Sequence, residues 1–245
     1  MTRVSVVIPT LDEADRLPAL VEALRREPEL AEIIVADGSS SDGSSELAVR
    51  LGTRVVTAAR GRGEALRAGA ALASGEILLF LHADSRFPSG GLRALCAALD
   101  RDDRVPGGNF RVVFDGPSRF ARGLTIAYPW LRLATLYYGD SGIFVRRAVY
   151  EAIGGIKPIP LMEDYEFVRR LERAGPTCRV EDPPLTTSSR KFAGRRASAI
   201  VWGWIVVHVL YWLGVSPERL ARLYYPRGLR GRDQTSQGGC DDHGD

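Results

Sequence analysis

Acidic side chains in this chain collect where short apolar runs end, and that placement suggests chemistry. Asp84 closes the run Ile77-Leu78-Leu79-Phe80-Leu81, where a carboxylate can face solvent while half buried. A hard divalent ion, Mg or Mn, prefers one or two carboxylates plus phosphate oxygens, so one such Asp beside a nucleotide diphosphate suffices. The alternative is a cap for the helix that follows Pro88. Asp37 ends the run Ile33-Ile34-Val35-Ala36 and opens Gly38-Ser39-Ser40-Ser41-Asp42, a tight turn with free amides. Its carboxylate can accept a hydrogen bond from a nucleobase N–H, with Thr10 and Glu13 reaching the same nucleoside from the neighbouring run. Asp42 reads as ordinary capping chemistry for the next helix. Glu163-Asp164 opens an amphipathic stretch, where the helix dipole favours acids in any case. The functional reading makes one of the two, Asp164 before Glu163, a general base for an acceptor hydroxyl. Arg62 and Arg67 stand near the start of a glycine-flanked helix that can meet phosphate, or they belong to a solvated basic face.

The elements that must position these residues alternate. Apolar runs at Val4 to Ile8, Ile33 to Ala36, Arg54 to Thr57 and Glu76 to Leu81 read as buried strands. Between them Leu17, Leu20, Val21 and Leu24, then Ala65, Leu66, Gly69, Ala70 and Leu72, keep helical spacing. Such an order predicts an α/β protein whose parallel sheet is covered by helices on both faces, with ligands at the carboxyl ends of the strands. Three acidic clusters then meet at one edge. The second half is less regular: a strand at Gly108 to Phe114, a helix near Arg119 to Leu136, a small-residue turn at Gly139 to Gly142, and a helix from Glu163 to Ala174.

Composition narrows the class. The chain has 245 residues, 45% hydrophobic and 26% charged, with a net charge of only +3, and its arginine excess is concentrated between Arg190 and Arg232. A basic tail fits this better than a nucleic-acid-binding body. Cys96, Cys178 and Cys240 form no C-x-x-C pair, which points away from a disulfide framework and toward a reducing compartment. Residues 1–190 read as the catalytic domain, 191–232 as a basic and apolar helical segment, and 233–245 as a disordered tail. Ala197 to Pro217 carries no charge, yet arginines flank it on both sides (Arg195, Arg196, then Arg219, Arg222, Arg227, Arg230, Arg232). A span, a core or oligomer helix, and an interfacial helix are all compatible with this pattern; aromatic residues beside arginine favour the interface. The expected place is the cytoplasm, peripheral at the inner face of the membrane. His208 reads as a packed or interfacial residue.

These segments together resemble the family 2 glycosyltransferases over roughly residues 3 to 190. The likeness rests on Val6-Val7-Ile8-Pro9-Thr10-Leu11-Asp12-Glu13, Ile33 to Asp42, Gly75 to Asp84, and Glu163-Asp164. It implies a GT-A fold, that is, a Rossmann-like mixed sheet with helices on both faces, here followed by a C-terminal apolar helix. It implies inverting transfer of a sugar from a nucleotide-diphosphate donor to an unidentified hydroxyl, with a lipid-linked acceptor as one candidate. Pro9, Thr10, Glu13, Asp37, Arg62, His82 and Ala83 would bind the nucleotide sugar, Asp84 the divalent metal, and Asp164 with Glu163 would be catalytic. Two positions depart from the family pattern: His82 stands where many members have the first Asp of Asp-x-Asp, and Ala36 replaces the first acid of a common Asp-Asp pair. His82-Ala83-Asp84-Ser85, Gly139 to Phe144 and Gly214 to Leu220 liken the chain most to small bacterial arsenosugar-biosynthesis-type members. Two rival readings are a nucleotidyltransferase acting on sugar phosphates and a non-catalytic membrane-associated scaffold of the same fold. The first would be expected to place a glycine-rich loop after the first strand, and Pro9-Thr10-Leu11-Asp12-Glu13 has no glycine. Retention of Asp37, Asp84 and Glu163-Asp164 together speaks against the second.

Overall fold

The computed structural model describes residues 2–192 and 194–225. Strands β1 (Val4–Thr10), β2 (Leu30–Asp37), β3 (Arg54–Thr57) and β4 (Ile77–Phe80) run parallel in the order β3-β2-β1-β4. Beyond β4 the seven-stranded sheet continues through β6 (Ile143–Arg146), β5 (Gly107–Phe114) and β7 (Cys178–Thr187). β6 is antiparallel to β4 and β5, while β7 is parallel to β5. The sheet is therefore mixed. The reversal of β6 brings its amino end, preceded by the turn Gly139–Ser141, to the edge where β1, β2 and β4 finish. The carboxyl end of β7 reaches the same edge.

Strand alternation sends side chains to opposite faces. Val4, Val6 and Ile8 meet α1 (Leu17–Arg25), Ala48 of α2 (Ser44–Arg50) and the leucines of α4 (Gly91–Asp100). Val7, Ile34, Leu78 and Phe80 meet α3 (Arg62–Leu72), α6 (Arg147–Ala152) and α7 (Glu163–Ala174). The helices on both faces read from the apolar spacing are present. Gly69 sets how closely α3 lies on the sheet, since a Cβ there would stand 2.5 Å from Cγ1 of Val7.

A third cluster joins Val112 and Phe114 of β5 to α5 (Arg119–Leu133), Phe192 and Ile200. Ile200 belongs to α8 (Ala197–Trp212), which is followed by α9 (Pro217–Tyr224). α5 stops three residues short of the expected Leu136, and Thr135 turns the chain at φ 57°. α8 spans 16 residues, about 24 Å at 1.5 Å per residue. Among the described residues no helix is long and apolar enough to cross a membrane. Arg227, Arg230, Arg232 and the segment 233–245 lie outside the described residues.

Candidate active site at the carboxyl edge of the sheet

The first turn of α7 carries the buried acids Glu163 and Asp164. Met162, at φ 68°, turns the chain sharply before them, and non-glycine residues hold such a conformation at a cost of roughly 1 kcal/mol or more. The Asp164 carboxylate accepts from the Gly139 amide at 3.0 Å and, through its other oxygen, from the Tyr165 amide at 2.8 Å. Arg62, the first residue of α3, reaches across and donates Nη2 to Asp164 Oδ2 at 2.9 Å while its Nε pairs with Glu163. Burial pushes the Glu163 carboxyl up against the pull of Arg62, and the charge of Asp164 adds to that rise. The guanidinium of Arg62 is in turn held above its ordinary value by the two acids, against the opposing effect of burial. Its Nη1 also stands 3.5 Å from His82 Nε2. Gly139 has no room for a side chain, because a Cβ would lie 2.8 Å from His82 Nε2 and 3.4 Å from Asp164 Oδ2.

At the ends of β1 and β2 two loops are laced together. Asp12 accepts from the Ser41 amide at 2.8 Å, and Asp42 accepts from the amides of Ala14 at 2.9 Å and Ser44 at 3.0 Å. Asp42 thus serves the start of α2 as expected, although the cap position itself is Gly43. Asp37 is buried and receives the Ser40 amide at 3.2 Å, and the Gly38 amide donates to the Thr10 carbonyl at 2.8 Å. Asp12 (φ 55°) and Ser39 (φ 70°) share the left-handed conformation seen at Met162. The result is a polar edge in which Thr10, Asp37 and their turns are held by one another.

Asp84 follows β4 with its side chain 18% exposed. It does not cap the next helix: the amides of Gly90 and Leu92 at the start of α4 donate to Glu27 at 2.7 and 3.0 Å. Arg190, just past β7, stands 3.8 Å from Asp84 and pairs with Glu13. Among the described residues no three His, Cys, Asp or Glu side chains group tightly enough to hold an ion by themselves. Mg or Mn bound to a diphosphate asks for only one or two protein carboxylates, and Asp84, 18% exposed and 3.8 Å from Arg190, is the one this end of β4 would supply.

The family model described as glycosyl transferase family 2 matches residues 5–154. The chain belongs to glycosyl transferase family 2. Uncharacterized glycosyltransferases of Mycobacterium bovis and Mycobacterium tuberculosis are 35% identical to the family 2 chain over 111 residues, 45% of this chain and 50% of theirs. The chain thus spans about half the length of these curated relatives. Among solved structures, glucosyl-3-phosphoglycerate synthase of Mycobacterium tuberculosis, in complex with Mn2+, uridine diphosphate and glucosyl-3-phosphoglycerate, superposes with a TM-score of 0.63 at 20% identity, covering 87% of this chain and 81% of that one. Mannosyl-3-phosphoglycerate synthase of Rubrobacter xylanophilus gives 0.57 at 19%, covering 96% and 79%. At these identities the structures establish the GT-A-like fold.

In the family 2 chain, then, Pro9, Thr10, Glu13 and Asp37 stand at the ends of β1 and β2, His82, Ala83 and Asp84 follow β4, and Arg62 touches Glu163, Asp164 and His82. The guanidinium of Arg62, a residue expected to meet the nucleotide sugar, is engaged here by the acid pair. Arg67 stays apart, facing Glu64 at 3.6 Å. Two participants had no sequence reading: Arg190, 106 positions after Asp84, and the amide of Gly139. Only the small-residue run Gly139 to Gly142 hinted at the second.

Proposed function

We propose that the chain is an inverting glycosyltransferase taking a sugar from a nucleoside-diphosphate donor to an acceptor hydroxyl. The observation that carries the reading is the buried pair Glu163 and Asp164, brought by α7 to the sheet edge that also holds Asp37 and Asp84 and clamped there by Arg62 and Gly139. Thr10, Glu13 and Asp37 line the nucleoside side, with the backbone of Pro9 and Ala83 closing against it. The Asp164 carboxylate takes the proton of the acceptor hydroxyl as its oxygen attacks the anomeric carbon. The bond from that carbon to the diphosphate oxygen breaks with its electron pair going to the diphosphate, and the configuration inverts in one displacement. Asp84 would hold a divalent ion shared with the diphosphate, whose positive charge stabilises the leaving group. Arg62 and His82 border both regions, so donor phosphates compete with Asp164 for the Arg62 guanidinium and free the base as they bind. The manganese and uridine diphosphate held by the mycobacterial structural neighbour support this reading.

A thermal-shift series with nucleoside diphosphates and nucleotide sugars, with and without manganese, tests it. One of these ligands should raise the unfolding temperature, most with manganese, since ligand at 100 times its Kd adds about 2.7 kcal/mol. If none of them stabilises the protein, the proposal fails.

A further inference from the structure

α8 is apolar all round, a composition that suits a helix covered on every side. Among the described residues only one side is covered by protein. Ile200, Trp204, Val207, His208 and Tyr211 face inward, where His208 Nδ1 donates to the Trp204 carbonyl at 2.8 Å and Nε2 stands 2.8 Å from the Tyr138 hydroxyl. On the other side Val201, Trp202, Ile205, Val209 and Leu213 are exposed, Trp202 by 66%. α5 packs on the same aromatic cluster, with Phe120 against Trp204, and turns out Ile126, Trp130 and Leu133. All four tryptophans of the chain, Trp130, Trp202, Trp204 and Trp212, lie on these two helices.

We propose that the outer faces of α5 and α8 form a docking surface for an anionic lipid bilayer. Two features select lipid over another occupant. First, exposed cations rim the patch: Arg119 and Arg122 at the start of α5, Arg195 and Arg196 before α8, and Arg219 and Arg222 on α9, against the single acid Glu218 on these three helices. Second, tryptophan is the side chain favoured at the depth of lipid headgroups, and a helix of about 24 Å that cannot cross the ~30 Å hydrocarbon layer can lie along it. Trp212 also borders a cleft of about 160 Å³ lined by Arg169, Arg173 and the Glu166–Arg170 ion pair of α7, so a cationic excess continues on that side. Docking in this way, taken with the sugar transfer proposed above and resting on it for this step, sets Asp164 about one helix diameter, ~10 Å, from the lipid and makes a membrane-resident hydroxyl the acceptor class. α8 touches the first turn of α7 directly, as Trp212, itself 61% exposed, donates Nε1 to the Tyr165 hydroxyl at 3.0 Å.

The test floats purified full-length protein with vesicles of phosphatidylcholine alone and with roughly one third phosphatidylglycerol, while tryptophan emission is recorded. Flotation with the anionic vesicles and a blue shift are expected, with weaker binding to neutral vesicles and at high salt. W202S/I205S/V209S should bind at least about tenfold more weakly, and R119E/R122E should lose most of the salt-sensitive part. Both variants should keep the wild-type far-UV spectrum and nucleotide response. Failure of the wild-type protein to float, or equal flotation of both variants, overturns the proposal. So does a wild-type dimer in sedimentation that the triple variant dissolves, because the face would then be covered by a second copy. A protein that floats but ignores every nucleotide refutes the transfer reading and leaves the docking surface standing.

Discussion

Asp164 receives two backbone amides and one guanidinium Nη, so its carboxylate is held in one orientation before any acceptor arrives. Asp164→Asn keeps the shape and removes the proton acceptor; kcat should fall by ~10²–10⁴-fold in a donor-transfer assay while nucleotide binding in the thermal-shift assay is retained. Near-normal turnover would take Asp164 out of the mechanism. Asp84→Asn is expected to behave differently, weakening the manganese-dependent part of the nucleotide shift along with turnover. Gly139→Ala offers a finer probe. Its methyl would push His82 and crowd Asp164, so transfer should drop by about tenfold or more while the melting temperature moves little, the displaced group being a side chain at the site edge. The acids themselves could be picked from the sequence, since each ends an apolar run or starts a helix. Arg190 could not, because no local pattern ties an arginine after β7 to Glu13 and Asp84.

Among the elements, the sheet edge opposite the site is tied by Glu32 on β2. Its carboxylate accepts from Ser5 of β1 at 2.8 Å and from the amide and hydroxyl of Ser74 at 2.7 Å, and it pairs with Arg54 of β3. Burial raises the acid's pKa, but these donors outweigh it and hold Glu32 at about 2. A depressed carboxylate contributes stability that is complete above its unfolded value near 4.5 and is lost as pH falls toward about 2. Glu32→Gln should therefore cost roughly 1–3 kcal/mol at pH 7 in urea melts, and the gap to the parent should close between about pH 4.5 and 2. A gap that does not change with pH would show that the charge is not what stabilises. α3 depends on Gly69 for its seat on β1 and β2; Gly69→Leu should lower stability by about 1–3 kcal/mol through overpacking, read in the same melts. Strands β1 to β4 could be read from apolar runs, whereas β6 and β7 were missed. Ile143-Phe144-Val145 is an apolar run of three that passes straight into α6 at Arg147 with no turn residue to mark its end, and Cys178–Thr187 carries Pro183 and Pro184 among exposed and buried positions, so neither shows the bounded apolar run by which a strand is recognised.

For the molecule as a whole, α8 links the sheet edge to the surface. Its inward residues complete the clusters around Phe192 and Tyr165, so a chain ending at residue 190 should melt several degrees lower than the full chain, uncovering aromatic surface that calorimetry and a dye-binding assay would detect. What the sequence determined by itself was local: which runs become parallel strands, where their polar ends fall, and membership of a family through motifs read in order, because hydrophobic period and turn chemistry are properties of neighbouring residues. What only the tertiary structure decided was non-local. The reversal of β6 carries Gly139 to Asp164, α3 and α7 bring Arg62 within reach of acids about a hundred positions away, Glu27 rather than Asp84 serves α4, and α8 turns one apolar face in and leaves the other exposed among the described residues. Each of these depends on how elements pack, and packing is settled by contacts between residues that are distant along the chain.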